Sequence, residues 1–282
     1  MHIKVNQKHL QIGFLLKGLP IMFVLMSLLG CDILFWDDET LIPLDTRIHF
    51  KVLESFDNNA HDSYETITTP EIFIDMLSEK SYPSTSYYFA VNHRVVGRRI
   101  LIGVDGIKIP GAGNCMVGPI GKRIKIGRIH GAYELTIRGR DFENEYAVNI
   151  SDSLITIEGT ETPDTKPSIT SIFRYPKNSF AYLCGTTLQD SSLCEDFIDT
   201  LKSVINVTEF KFLDIAESPY PPAGNGNHYN AEPKFFYYKS EEDFEKIEDV
   251  MRTFKRDHFP DNNGVSLRII NWMNKRVRSW LL

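Results

Sequence analysis

The feature that most restricts the fold is a series of short segments with the composition of β-strands between residues 86 and 159. They are rich in Ile, Tyr, Val and Thr, and they are separated by Gly, Asn, Asp and Ser. The segments are SYYFAV, RRILIGVDGIKI, RIKIGRI, YELTIRG, EYAVNI and SLITIEG. Regular spacing of such strands favours an antiparallel sandwich or barrel over a parallel sheet. We therefore predict a mainly β domain over residues 46–160.

One further strand and one helix are predicted inside this domain. Residues 48–52 alternate between apolar and polar side chains, the period of a half-buried strand. The segment TPEIFIDMLSEK, residues 69–80, is predicted to be a helix. Thr69 is a suitable N-cap, Pro70 suits the first turn, and Glu71 would lie at the positive end of the helix.

The chain changes character after residue 160. The segment ETPDTKPS, residues 161–168, holds two Pro and no large apolar residue, which predicts a linker. Beyond it, four strand-like and two helix-like segments predict an α+β domain over residues 169–282. Their order is β-α-β-β-α-β, the split pattern of ferredoxin-like domains.

Both predicted helices of this domain have start signals and an apolar face. Ser192 and Glu195 have the spacing of a capping box, and Ser240 is a suitable N-cap for the second helix. The apolar faces are predicted to be Leu193, Phe197, Leu201 and Val204 in the first helix and Phe244, Ile247, Met251 and Phe254 in the second. The last segment, residues 271–282, is predicted to form a terminal helix.

The first 30 residues have the pattern of a secretory signal. They contain three Lys and no Asp, Glu or Arg, and an apolar run extends from Leu19 to Leu29. A positive region followed by a short apolar region is typical of such signals. The run is about half the ~20 residues that a membrane-spanning helix needs. We predict a signal peptide over residues 1–30.

The end of the run, Leu28-Leu29-Gly30-Cys31, resembles the lipobox of bacterial lipoproteins. The resemblance implies cleavage between Gly30 and Cys31 and lipidation of the Cys31 thiol. Two or three acyl chains would anchor the protein stably, in the bacterial cell membrane or the outer membrane, with its folded part in the periplasm or at the cell surface. An ordinary signal peptide, or an uncleaved anchor with an incidental Cys31, is the alternative. If Cys31 is lipidated, residues 31–45 are predicted to form a lipid-anchored tether.

Charge argues against nucleic acid as a partner. The whole chain carries a net charge of −6, and loss of a leader with three Lys and no acid gives −6 − 3 = −9. An acidic exported protein is a poor nucleic-acid binder.

Three cysteines remain if Cys31 is lipidated. A Cys184–Cys194 disulfide would close a short loop and leave Cys115 unpaired. The alternative is that all three are buried, inert thiols.

No motif in the sequence predicts a catalytic set, a metal site or a cofactor. The glycine-rich segment GAGNCMVGPIGK fails as a phosphate loop because Met116 stands where a Gly is required. The start of DNNAHDSYETIT resembles a calcium loop, but the central Gly is missing and Thr68 replaces the bidentate Glu.

Two segments are candidate binding surfaces. The first is the long loop 218–233, whose Tyr and Asn composition is typical of recognition loops. Its candidate residues are Tyr220, Asn225, Asn227, His228, Tyr229 and Asn230. The alternative is a crossover connection with no partner.

The second candidate is a basic face in this acidic chain. Its members are Arg94, Arg98, Arg99, Lys122, Arg123, Lys125 and Arg128. If their strands are neighbours, the face would suit lipid headgroups, an anionic glycan or an acidic protein. The alternative is a solvated sheet face.

These observations favour a non-enzymatic envelope lipoprotein that binds a protein or glycan partner. One form of this hypothesis is an immunity protein that neutralises a toxin delivered into the periplasm. This form rests on an analogy with other envelope lipoproteins and on no matched motif. The alternatives are an envelope hydrolase, with His61, Asp62 and His228 in loops, and an assembly protein of an envelope complex.

Overall fold

The structure is a computed structural model that describes residues 40–56, 69–111, 116–187, 189–222, 229–261 and 264–282. In chain order the strands are β1 (Thr40–Ile42), β2 (Ile48–Ser55), β3 (Glu71–Tyr82), β4 (Tyr88–Val96), β5 (Arg99–Ile109), β6 (Gly118–Gly127), β7 (Gly131–Arg138), β8 (Glu143–Ile150), β9 (Leu154–Glu158), β10 (Thr165–Pro167), β11 (Ser171–Phe173), β12 (Ser179–Thr186), β13 (Val207–Phe210), β14 (Tyr229–Asn230), β15 (Lys234–Tyr238), β16 (Ser266–Asn271) and β17 (Arg276–Arg278). The helices are α1 (Leu193–Val204) and α2 (Glu241–His258), and a 3-10 turn follows β17 at Ser279–Leu281. The prediction of a β-rich fold with a smaller α+β part is confirmed.

The first unit is built from two sheets that share one core. The larger sheet has the order β1-β5-β7-β8-β9-β11, with β4 on the other side of β5, and the smaller has the order β10-β2-β3-β6. Buried Ile, Val and Phe side chains of both sheets form a single cluster, in which Phe50 meets Tyr146 at a ring-centroid distance of 4.8 Å. Most pairs are antiparallel, but β5–β7 and β10–β2 are parallel.

The predicted helix over residues 69–80 is wrong, because residues 71–82 form β3. This strand lies between β2 and β6 and pairs with both over most of its length. Ile72, Ile74 and Met76 point into the core with the period of a strand. The helix-start signals at Thr69 and Pro70 are therefore overridden by pairing with partners distant in the sequence.

The predicted linker over residues 161–168 is also wrong, because β10 lies within it. Thr165 is completely buried and pairs with Ile48 of β2. Its hydroxyl lies 2.6 Å from that of Tyr146. The segment needs no large apolar residue, because β10 is held in place by backbone pairing with β2 and by the buried hydroxyl pair of Thr165 and Tyr146. Its composition therefore resembled that of a linker.

The predicted tether, residues 31–45, is corrected at its carboxyl-terminal end. Residues 31–39 lie outside the described residues, but Thr40–Ile42 form β1 and pair with Ile107–Ile109 of β5. Asp45 accepts hydrogen bonds from Lys80 Nζ at 2.8 Å and from the Tyr82 hydroxyl at 2.5 Å. The folded unit therefore begins by residue 40.

The second unit has the predicted β-α-β-β-α-β order, with two short additional strands, β14 and β17. Its sheet runs β13-β15-β12-β16-β17, with β14 also paired to β12, and every pair is antiparallel. Helices α1 and α2 cover one face, where their apolar side chains meet Phe180, Phe236 and Leu267 of the sheet. We call the opposite side the helix-free face. Neither helix in the described part of the chain has the length and apolar character that a membrane crossing requires.

Of the two predicted N-cap residues, one forms its capping hydrogen bond and the other does not. The Ser240 side chain accepts a hydrogen bond from the Asp243 N–H, as predicted. The Ser192 side chain makes no capping bond, so the predicted capping box is wrong. Val204 is exposed, because the buried face of α1 instead includes Cys194 and Ile198.

The predicted terminal helix is replaced by β17 and the 3-10 turn. The Asn271 Oδ1 accepts from the N–H groups of Met273 and Lys275 at 3.0 and 2.8 Å. Asn274 adopts the left-handed conformation, with φ 64°. This tight turn returns the chain along β16 and prevents a helix.

Candidate binding surface

The seven predicted basic residues lie in the β4–β5 hairpin and in or just after β6, at the same side of the first unit. Arg94, Arg98 and Arg99 belong to the β4–β5 hairpin, and the others belong to β6 or follow it. Each of β4 and β6 is an edge strand among the described residues, and the two contact each other. Lys and Arg on exposed edges are a common means of blocking unwanted strand pairing.

The basic residues of β6 are neutralised by carboxylates of the neighbouring β3. Arg123 makes two 2.7 Å bonds to the two carboxylate oxygens of Asp75, which raise the pKa of its guanidinium. Lys125 Nζ lies 2.6 Å from Glu71 Oε2, and Arg128 lies near the same carboxylate. Lys122 instead lies 5.2 Å from the centre of the Tyr88 ring.

Two of the hairpin arginines also have partners. Arg98 Nη1 donates to the His130 carbonyl at 2.6 Å, and Arg99 Nε lies 3.4 Å from a Glu134 oxygen. Arg94 has no ion pair with any described residue. Most of these charges therefore form local pairs, several of them across neighbouring strands.

The outer half of β4 is the most exposed part of this side. Residues 92–96 are all exposed, including Val95 at 38% and Val96 at 56%. Gly97 then turns the chain with φ +60°, which suits the first central position of a two-residue hairpin turn. Within the described ranges β4 pairs only with β5.

This arrangement can bind an extended chain through its backbone. In an antiparallel ladder, alternate residues direct N–H and C=O groups away from the partner strand, and an edge strand offers them to another chain. Val96 and Arg94 lie on one face of the strand and Val95 and His93 on the other, so side-chain contacts are available on both. The sequence signal was present in the segment RVVGRR, where two Val interrupt the arginines.

The predicted recognition loop is corrected at Tyr220. This side chain is only 4% exposed, and its hydroxyl lies 2.8 Å from Ser179 Oγ. Its ring contacts Tyr175 and Phe235, and burial raises the pKa of its hydroxyl. Tyr220 therefore packs residues 211–222 against the helix-free face, and it is unavailable to a partner.

The other loop residues fall into two groups. Tyr229 and Asn230 form β14, and their backbones pair with Thr186 and Gly185 of β12. Asn225, Asn227 and His228 lie outside the described residues. His61 and Asp62, which the hydrolase hypothesis names, lie outside them as well.

The structure joins Cys184 and Cys194 in a disulfide. The bond links β12 to the first turn of α1, and both residues are buried in the core beneath the helices. Cys31 and Cys115 lie outside the described residues.

A cleft of about 460 Å³ lies where the two units meet. Its lining includes Glu54, Arg174 and Tyr175, together with Trp272 of the second unit. Glu54 accepts from Arg174 Nη2 at 2.7 Å and from the Tyr175 N–H at 2.8 Å. His130 Nε2 lies 3.1 Å from Asp152 at the exposed rim. The acidic groups of this cleft are thus engaged by partners, which favours a structural junction over a reaction centre.

This junction was not predicted from the sequence, although one signal was present. Glu54 follows Phe50 and Val52 at the inward positions of a strand, so its carboxylate had to be buried and paired. Its partner Arg174 carries no comparable signal. Among the described residues, no three His, Cys, Asp or Glu side chains converge as metal ligands.

Comparison with known proteins identifies no relative. No protein-family model, curated protein or solved structure matches this chain.

Proposed function

We propose that this protein is anchored by lipid at Cys31 in a bacterial cell envelope and binds a protein partner there without catalysing a reaction. The lipobox-like end of the leader supports the anchor. The Cys184–Cys194 disulfide supports an exported location, because disulfides persist in oxidising compartments and are rare in the cytosol.

The exposed outer half of β4 is the observation that carries the binding role. Long exposed edges are normally shortened, covered or twisted away, whereas residues 92–96 expose both faces of an edge strand. An added strand would gain main-chain hydrogen bonds from the edge and specificity from the alternating side chains.

Charge indicates the chemistry of the partner. His93 and Arg94 precede the exposed Val95, Arg98 lies in the turn, and Arg99 begins β5. Pairing of two copies of β4 would align these basic side chains along one short ladder, and like charges in register are destabilising. The proposed partner is therefore an extended segment of another envelope protein, with alternating acidic and apolar side chains.

The location is tested by expressing the full chain in a bacterium beside a Cys31→Ser variant. We expect the wild type to enter the detergent phase on phase partitioning, with the mass of a chain that begins at Cys31 and carries lipid. The variant should do neither. Identical behaviour of both proteins would contradict the lipid anchor.

The binding role is tested by photocrosslinking in cells. A photoreactive p-benzoylphenylalanine at position 96 should give one discrete crosslinked protein. The same group at position 147 is the control, since Ala147 is exposed on β8 but β8 is paired on both sides. A discrete product at neither position, or equal products at both, would overturn strand addition at β4.

A further inference from the structure

The chain enters the first unit at one end of strand β5. Thr40, the first residue of β1, pairs with Ile109, the last residue of β5. At the other end of β5, Arg99 pairs with Val96 of β4. The 11 residues of β5 span about 33 Å at the rise of a strand. The end that carries Thr40, which we call the entry end, therefore lies opposite the tip of the β4–β5 hairpin.

The second unit lies on the side of the hairpin tip. Arg98, in the hairpin turn, donates from Nη1 to the His130 carbonyl at 2.6 Å. His130 lines the cleft between the units together with Trp272 of the second unit. The exposed edge of β4 and the second unit are therefore both remote from the entry end.

Three exposed apolar side chains lie at the entry end. Leu41 of β1 is 52% exposed, and Met116 and Val117, just before β6, are 65% and 70% exposed. The Met116 carbonyl accepts from the Thr85 N–H at 2.9 Å. Strand β4 begins three residues after Thr85, beside the same end of β5 as Leu41. Neighbouring apolar side chains that stay exposed are typical of a surface that contacts a partner or a membrane.

The sequence between Cys31 and the entry end is short. Thr40 lies nine positions after Cys31, and an extended chain of that length spans at most about 32 Å. Residues 33–36 within it are all apolar and end in Trp36, a residue type that is enriched at membrane interfaces. Lipid on Cys31 would therefore hold the entry end close to the bilayer, whereas Val96 lies a further length of β5 away.

We propose that the entry end rests on the bilayer, with Leu41, Met116 and Val117 at the boundary between lipid headgroups and acyl chains. This inference rests on the lipid anchor proposed above, and it adds the surface that faces the membrane and the direction in which the protein points. Apolar contact is the expected attraction, because the chain is acidic overall and anionic headgroups repel it. The β4 edge and the second unit then extend away from the membrane, toward other proteins of the envelope.

The test uses the full chain, carrying its lipid, in phosphatidylcholine vesicles. A photoreactive p-benzoylphenylalanine at position 117 should give a product heavier by one phospholipid on irradiation. Position 96 is the matched control, since Val96, like Val117, is an exposed valine followed by glycine. Position 213 is a second control, since Leu213 is as exposed as Met116 but lies in the second unit. We expect about tenfold more lipid product at position 117, because both controls lie outside the interfacial layer of about 5–10 Å.

Two measurements on the wild type separate a failed anchor from a failed contact. Its intact mass should be that of a chain that begins at Cys31 and carries lipid, and it should float with the vesicles. Wild type that lacks the lipid or does not float would overturn both the anchor and the contact. Floating protein with equal lipid products at all three positions, or with none, would overturn the contact alone.

The lipid product at position 117 should persist in about 1 M NaCl, where the screening length is about 3 Å. Its loss in salt would contradict an apolar contact. A crosslink between two copies of the chain, in place of the lipid product, would identify a second copy as the occupant and overturn the proposal. The three labelled proteins should unfold at the Tm of the wild type, since each replaced side chain is exposed.

Discussion

Arg174 Nη2 lies 2.7 Å from Glu54 Oε1, although the two residues are 120 positions apart in the chain. Glu54 is only 4% exposed, and its second oxygen accepts from the Tyr175 N–H. Glu54 belongs to β2 of the first unit, and Arg174 lies where the chain passes toward the second. A second link lies nearby, where the Phe173 N–H donates to the Glu217 carbonyl at 2.8 Å. The two units are therefore joined by backbone bonds and a buried ion pair.

Removing the charge of Glu54 should destabilise the protein strongly. In Glu54→Gln the Arg174 guanidinium loses its counter-charge in a largely buried site, and we expect a loss of about 2–3 kcal/mol in the free energy of unfolding. Denaturant unfolding measures this loss. Glu134→Gln is the matched control, since its pair with Arg99 is exposed and should cost less than about 1 kcal/mol. Equal effects of the two variants would contradict the buried pair.

The strand assignment of β3 can be tested by two substitutions three residues apart. Ile74 is completely buried, and Ile74→Ala should cost about 3 kcal/mol in the free energy of unfolding. Leu77 points to the other face and is exposed, so Leu77→Ala should cost less than about 1 kcal/mol. In a helix, residues three apart would share a face and respond alike. Urea unfolding of both variants separates the two structures.

The disulfide should contribute measurably to stability. Cys184 and Cys194 are ten residues apart, and cross-linking over such a loop stabilises by about 3 kcal/mol in the chain-entropy model. Reductant should therefore lower the wild-type free energy of unfolding by about that amount. A Cys184→Ala/Cys194→Ala double variant should be insensitive to reductant. The disulfide would be contradicted if reductant left the wild-type free energy of unfolding unchanged and if Cys184 and Cys194 could both be alkylated without prior reduction.

Asp45 should make stability depend on pH in the acid range. The bond from Lys80, and then that from Tyr82, lowers the pKa of this carboxyl from 3.8. A lowered folded-state pKa means that the contribution is complete above about pH 5 and is lost as the pH falls through the lowered value. Wild type should therefore lose its stability advantage over Asp45→Asn on acidification. Asp199→Asn, at an exposed position on α1, is the control and should show no such change.

The sequence predicted best those elements whose signals are local. Helix α2 has its Ser240 cap, and its predicted apolar face is the buried one. Segment β3 satisfies both periodicities, since Phe73, Met76 and Leu77 suit a helix and Ile72, Ile74 and Met76 suit a strand. Only its pairing with β2 and β6 decides between them, and those partners are distant in the chain.

The wrong helix prediction for β3 also concealed the ion pairs of the basic residues on β6. Alternation correctly predicted that Lys125 points away from the core, toward the solvent side of the sheet. Its partner Glu71, and Asp75 beside Arg123, lie on the strand that was predicted to be a helix. With β3 placed elsewhere, the charges of β6 looked unpaired. The predicted terminal helix likewise concealed the pairing of Arg276 and Arg278 with β16.

The parallel pairing of β10 with β2 has a consequence for how the chain reaches its native state. Ser168 Oγ donates to the Phe50 carbonyl across 118 residues of sequence. During synthesis, one edge of β2 stays open until this late segment emerges. Contacts of such high sequence separation slow folding, and an open edge promotes aggregation while it lasts. A chain that emerges amino-terminus first therefore completes its smaller sheet only after most of that unit has appeared.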